Sequence, residues 1–140
     1  MNKKTINILR LILFLIFWFI VIIIYRYTIR TQNEERYSNL EKYGTYTIGK
    51  VEEYFAMTYG PGHNHSSIRF SYKVLGSDYL EDSEYKVPDK NGPMKGSLFM
   101  AIYLPNNPEN CILLLDYPVK DSSDYKKYIE QFKSNPPKLN

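Results

Sequence analysis

The segment that most constrains this chain is "LILFLIFWFIVIIIY", Leu11 to Tyr25, which holds no charge, no glycine and no proline. As a helix it is about 23 Å long, short of the roughly 30 Å of a bilayer's hydrocarbon layer. Counting from Thr5, with the aliphatic stem of Arg10 lying along the apolar surface and its head reaching the interface, supplies the missing length. Residues 5–25 are therefore expected to cross the lipid bilayer, and residues 1–30 to form a short tail and its anchor. A cleaved secretory signal would have a shorter apolar region followed by small residues, whereas this run leads into "IIIYRYTIR". A buried core helix would show a polar face, and none is present. The expectation is a single-pass, uncleaved signal anchor.

Charge divides at the same boundary. Lys3, Lys4 and Arg10 are the only charged residues of the first 25 and account for the whole formal charge of +3. The rest of the chain is neutral, so the overall basicity is no sign of a nucleic-acid partner. Basic residues flank the run on both sides, with Arg26, Arg30, Arg36 and Lys42 following it, and their count does not fix orientation. Carrying the short N-terminal amine outward would oppose the membrane potential, which favours an extracytoplasmic C-terminal domain. The one cysteine, Cys111, lies in the apolar stretch "CILLLD" and reads as a small core residue.

Beyond the anchor, residues 31–44 continue with helical spacing through Tyr37, Leu40 and Tyr43, and Gly44 is expected to end that helix in a left-handed conformation. From Thr45 the period changes to two. In "SIRFSYKV", Ile68, Phe70, Tyr72 and Val74 alternate with Arg69, Ser71 and Lys73, and Leu75 to Asp78 supply a turn. The returning strand places Tyr79, Tyr85 and Val87 on one face. "TYTIGKVEEYFAM" has strand composition, with Gly49 marking a bulge or a close backbone approach. "SLFMAIYL", a turn over "PNNPEN" and "CILLLDY" complete five strands in residues 45–119. The expected fold is mainly β, a five-stranded antiparallel small barrel or sandwich. A C-terminal amphipathic helix follows in residues 120–133, capped by Asp121 or Ser122 and striped by Tyr125, Tyr128, Ile129 and Phe132, with a tail over 134–140.

The order of these features resembles a broad family of uncharacterised bacterial membrane proteins that have one or two N-terminal helices and a small β domain. The residues that carry the resemblance are Gly49, Val51, Gly76, Tyr79, Gly96, Tyr103, Pro105, Asn107 and Pro108, within residues 37 to 119. It implies a bacterial envelope location and no assigned activity, and with the single anchor the expected location is the bacterial cytoplasmic membrane. The loops "MTYGPGHNHSS" and "PDKNGPMK" and the C-terminal helix depart from the family pattern.

Two histidines stand in the first of those loops. His63 and His65 would point the same way in an extended segment, as two ligands of one ion do. A zinc site needs three or four donors, and no CxxC, no HxxxH and no nearby carboxylate completes the set, so no metal or other cofactor is expected. A pH-responsive loop is a further reading of the same pair. The acidic residues of "YLEDSEY" and the Glu52–Glu53 pair read as the solvated faces of strands, and no serine or glycine-rich segment has a nucleophile or phosphate-cradle context. With 14 tyrosines the chain is rich in a residue suited to both β surfaces and recognition. Tyr54, Tyr59 and Tyr103, with His63 and His65, are therefore the candidate binding residues. The expected function is a non-enzymatic, membrane-anchored interaction or cell-envelope protein with a protein partner at the β-domain loops. The alternatives are an immunity protein that neutralises an antibacterial toxin, and a metal or pH sensor at the histidine loop.

Overall fold

The computed structural model describes residues 3–58, 64–85 and 92–139. Their order is α1 (Lys3–Tyr43), β1 (Thr45–Thr58), β2 (Asn64–Val74), β3 (Ser77–Tyr85), β4 (Leu98–Leu104), β5 (Asn107–Pro118) and α2 (Ser122–Ser134). The chain divides into two compact units, Met1–Tyr37 and Ser38–Asn140.

The first unit is helix. Every residue from Leu11 to Ile24 is apolar and exposed, the side chains ranging from Val21 at 38% to Phe19 at 66%. Its most apolar stretch has a mean hydropathy of 2.4 and no buried residue, so α1 is long and apolar enough to cross a membrane. Nothing in the sequence breaks it, since no glycine or proline occurs before Gly44.

The second unit is built on one antiparallel sheet of order β3-β2-β1-β4-β5. Alternation along each strand gives the sheet two apolar faces. The inner one gathers Val51, Ile68, Phe70, Tyr72, Val74, Ala101, Cys111 and Leu113. The outer one gathers Met100, Ile102, Leu104 and Leu114 with Leu40 from the last turn of α1, Val119 and Phe132.

The inner face is buried by curvature. Gly49, opposite Tyr72 on β2 and Phe99 on β4, leaves the space over β1 that Leu113 of β5 fills. A Cβ there would collide with Leu113 Cδ1 and stand 3.2 Å from Phe70. A register shift between Val51 and Glu53, one turn of the pleat further on, adds bend to β1. The two outermost strands are thereby brought together, but they run parallel to one another, whereas every ladder in this sheet is antiparallel. Tyrosines bridge the gap. Tyr85 Oη donates to the Leu113 carbonyl at 3.0 Å and accepts from the Leu113 N–H at 2.9 Å. Tyr72 Oη donates to the Pro108 carbonyl at 2.6 Å. Three backbone groups of β5, the Pro108 carbonyl and the N–H and carbonyl of Leu113, are thus satisfied by hydroxyls rather than by a strand.

The outer face is covered by α2. Asp121 caps that helix in extended conformation, its carboxylate accepting from the N–H groups of Ser123 at 2.7 Å and Asp124 at 3.2 Å. Tyr125, Tyr128, Ile129 and Phe132 form the apolar stripe and pack with Tyr46, Ile48 and Tyr117. Phe132 sits 4.7 Å from the Tyr46 ring and 4.8 Å from the Tyr117 ring.

Several expectations are corrected. The five strands form an open sheet, not a closed barrel, because β3 and β5 share no ladder. The description "mainly β" suits the second unit only, since α1 alone contributes 41 residues of helix. Gly44 is not left-handed. It accepts the tight turn out of α1, where a Cβ would collide with the Leu40 carbonyl and stand 2.5 Å from Ile102 Cγ1. The turn expected over 105–110 is only Pro105–Asn106, and β5 already begins at Asn107. Residues 135–139 pack instead of trailing: Pro137 is buried, Leu139 joins the outer cluster, and its N–H donates to Glu41 Oε1 at 2.7 Å. Val87 lies outside the described residues.

Candidate interaction surface

Tyr59 and His63 lie outside the described residues. His65 is placed in strand β2, opposite Met57 of β1, so the described part of that loop begins as ladder and not as a free tip. Tyr54 is half-buried against the inner cluster, its hydroxyl 2.9 Å from Ser66 Oγ, and a Cβ on Gly92 would fall on its ring. Tyr103 also packs against the inner cluster, at the other end of the sheet, opposite Thr45 and Cys111. Thr45 and Tyr54 are separated by nine steps along β1, on the order of 25–30 Å. The structure does not bring Tyr54 and Tyr103 into one patch.

The tyrosine excess has a different role. Tyr54, Tyr72, Tyr79, Tyr85 and Tyr103 pack into or against the inner cluster, and Tyr46, Tyr117, Tyr125 and Tyr128 against the outer one. Rings fill the thin core of a small sheet while hydroxyls satisfy strand edges and buried Ser66. Burial raises the Tyr72 phenol above its ordinary range, with the nearby Cys111 and Glu81 adding to the effect. Burial likewise raises Tyr46, which faces Tyr117.

The face left open lies on the outer side of β1, β2 and β3, beside the α2 stripe. Its centre is Arg69. The guanidinium makes a forked pair with Asp82, Nε to Oδ1 at 2.9 Å and Nη2 to Oδ2 at 3.1 Å. It also reaches Glu53 at 3.4 Å and lies 5.8 Å from the Phe55 ring centre. The hydrogen bond to Asp82, then its charge, raises the Arg69 pKa further. Glu52 accepts from Ser71 Oγ at 2.6 Å and pairs with Lys50 at 3.2 Å. Those two hydrogen bonds, Ser71 first, lower its pKa. Lys73 and Asp78 pair at 3.3 Å, and Leu80 stands 59% exposed among these charges.

At one end of this face β1 and β2 part. Their ladder stops at Gly49 and Tyr72, and beyond it the Thr47 hydroxyl donates to the Lys73 carbonyl at 3.0 Å. The resulting open groove is lined by Lys50, Ser71, Lys73 and Tyr125. Its lysines are those already paired with Glu52 and Asp78, so it offers hydrogen-bonding groups without a concentrated charge. Among the described residues no group of three or more histidine, cysteine, aspartate or glutamate side chains is arranged to hold a metal ion.

Sequence periodicity places Arg69, Ser71 and Lys73 on one face but does not name their partners. These depend on the β1–β2–β3 register, which sets Arg69 opposite both Glu53 and Asp82. The equal count of opposite charges beyond residue 25 was the one available signal.

No family model, no curated protein and no solved structure matches the chain.

Proposed function

We infer that the chain is a membrane-anchored, non-catalytic interaction protein of the bacterial cytoplasmic membrane, with its sheet unit on the extracytoplasmic side. The observation that carries this reading is α1, a helix whose apolar side chains from Leu11 to Ile24 are exposed all round. Water tolerates such a surface poorly, at roughly 25 cal/mol for each Å² exposed, and a bilayer removes the cost. The sheet unit supports the second half of the reading. Its carboxylates around Arg69 are engaged in ion pairs on an open face, an arrangement suited to polar contact with a protein partner and unlike the water-excluded pairing of acid and base that hydrolysis needs. The open face of β2 and β3 joins the β1–β2 loop as the proposed partner surface.

Two measurements test it. The full chain expressed in a bacterium is expected to stay with membranes through alkaline carbonate washing, and protease added outside the cytoplasmic membrane is expected to digest the sheet unit. Release by carbonate would sink the anchor, and protection from external protease would reverse the orientation. A photo-crosslinking side chain at Leu80 is expected to capture a discrete protein, and one at Tyr117, within the helix-covered face, is expected not to. Equal yields at the two positions would remove the proposed partner surface.

A further inference from the structure

We propose that α1 meets the phosphate layer of an anionic bilayer through Arg26, Tyr27 and Arg30, one helical turn beyond the end of the apolar run. The proposal rests on the membrane reading above and adds where the helix leaves the lipid and which headgroups it selects.

Residues 5–25 as a helix span about 31 Å, enough for the hydrocarbon layer, so the headgroup boundary falls in the turn that follows Tyr25. That turn is polar in composition, yet its threonine hydroxyls are turned inward. Thr28 Oγ1 donates to the Ile24 carbonyl at 2.9 Å and Thr31 Oγ1 to the Tyr27 carbonyl at 2.9 Å. Hydroxyls satisfied on their own helix are tolerated in lipid, because no bond to water has to be given up. With Ile29 exposed between them, the turn over residues 26–31 presents apolar and self-satisfied groups beside its two arginines, a composition suited to the edge of the lipid. Beyond Thr31 come Gln32, Asn33, Glu34, Glu35 and Arg36, and the compatible surface ends.

Two guanidinium side chains fall in that turn. Arg26 and Arg30 are four residues apart and so share a helix face with Tyr27, which is 72% exposed. Glu34 holds Arg30 through Nε at 2.8 Å from the far side of the boundary. Both side chains are long enough to reach a headgroup plane while their stems remain in hydrocarbon. A planar guanidinium fork matches phosphate oxygens in pairs, and a phenol favours the same plane. The partner chemistry is therefore the phosphodiester of an anionic lipid.

The test uses the full chain reconstituted in phosphatidylcholine vesicles containing spin-labelled phosphatidylglycerol or spin-labelled phosphatidylcholine. The chain is expected to immobilise the anionic lipid preferentially. Arg26→Gln with Arg30→Gln is expected to lower that preference by roughly five-fold per arginine, the weight of one basic residue at an anionic surface. Arg26→Lys with Arg30→Lys should retain part of it, since charge survives and the fork does not. Lys3→Gln with Lys4→Gln should leave the contribution of the two arginines intact. An unchanged preference in the double glutamine variant, or a preference carried wholly by Lys3 and Lys4, would overturn the proposal. A chain that fails to float with vesicles of either composition removes the membrane reading and this proposal together. Flotation without lipid selectivity removes this proposal alone.

Discussion

On its inner face the sheet buries apolar residues against itself, β3 being held to β5 by the Tyr85 hydroxyl and β2 to β5 by that of Tyr72. On its outer face the same strands bury a second apolar set under α2, whose docking is prepared by a carboxylate cap and completed by aromatic edges on Phe132. The contrast teaches how a sheet of five strands obtains two cores from few residues. An odd number of antiparallel strands leaves its outermost pair parallel, and here that pair forms no ladder. Side-chain hydroxyls complete one face, and a separate helix is needed for the other.

The largest effects should come from the aromatic centre of each face. Phe70→Ala and Phe132→Ala each remove a ring that is at most 4% exposed. Each is expected to cost about 3–5 kcal/mol. Urea unfolding followed by both near- and far-ultraviolet circular dichroism would show whether the faces are one cooperative unit. A single coincident transition in both variants joins them. Loss of helix signal ahead of strand signal in Phe132→Ala alone would separate them.

Next in size is the seam. Tyr85→Phe leaves the N–H and the carbonyl of buried Leu113 without their hydroxyl partner, a loss of about 2–3 kcal/mol that no outer-face tyrosine should match. Tyr125→Phe is the comparison, because its hydroxyl is 3.5 Å from the Tyr46 carbonyl and its loss should be small. Equal effects would mean that the seam is not what closes the inner face.

The two closures should also fail in opposite directions of pH. The folded-state pKa of Tyr72 is raised, first by burial, so its contribution is present below the ordinary phenol value of about 10 and is lost as pH rises beyond it. Asp121 is lowered, by the Ser123 hydroxyl and then by the backbone N–H groups of Ser123 and Asp124. Its contribution is present above about pH 4 and is lost as pH falls through its lower folded value. Alkaline titration is expected to loosen the inner face first and acid titration α2 first, as followed by hydrogen exchange of Leu113 and Phe132. Tyr72→Phe should blunt the alkaline limb, and Asp121→Asn the acid limb.

The smallest effect is expected at the β2–β3 turn. Leu75 has φ +51 beside Gly76 at φ +88, a left-handed pair in which leucine is disfavoured, and its side chain is fully exposed. Leu75→Asn should stabilise the sheet unit by about 1 kcal/mol, read as a higher urea midpoint at unchanged slope. A loss of stability would show that the leucine makes a contact in solution.

Much of the fold was legible in the residues. The apolar run, the alternation of Ile68, Phe70, Tyr72 and Val74, and the stripe from Tyr125 to Phe132 each follow from a period that local geometry imposes. The candidate site was less legible. Tyr54 and Tyr103 are each suited by type to a recognition surface, but a tyrosine's environment depends on which strand folds over it. Arg69 looked like one member of a solvated face, and only register brings Glu53 and Asp82 to it.

The sequence by itself determined that α1 is apolar on every side, where the strands and α2 run, and that charge is balanced beyond the first 25 residues, because each depends on composition or on short-range periodicity. The tertiary structure alone decided that the sheet stays open, that β3 meets β5 through hydroxyls, and that the tyrosines serve two cores. Those outcomes depend on the close approach of Leu113 to Gly49 and on contacts between residues as distant in sequence as Tyr85 and Leu113, which no local pattern encodes.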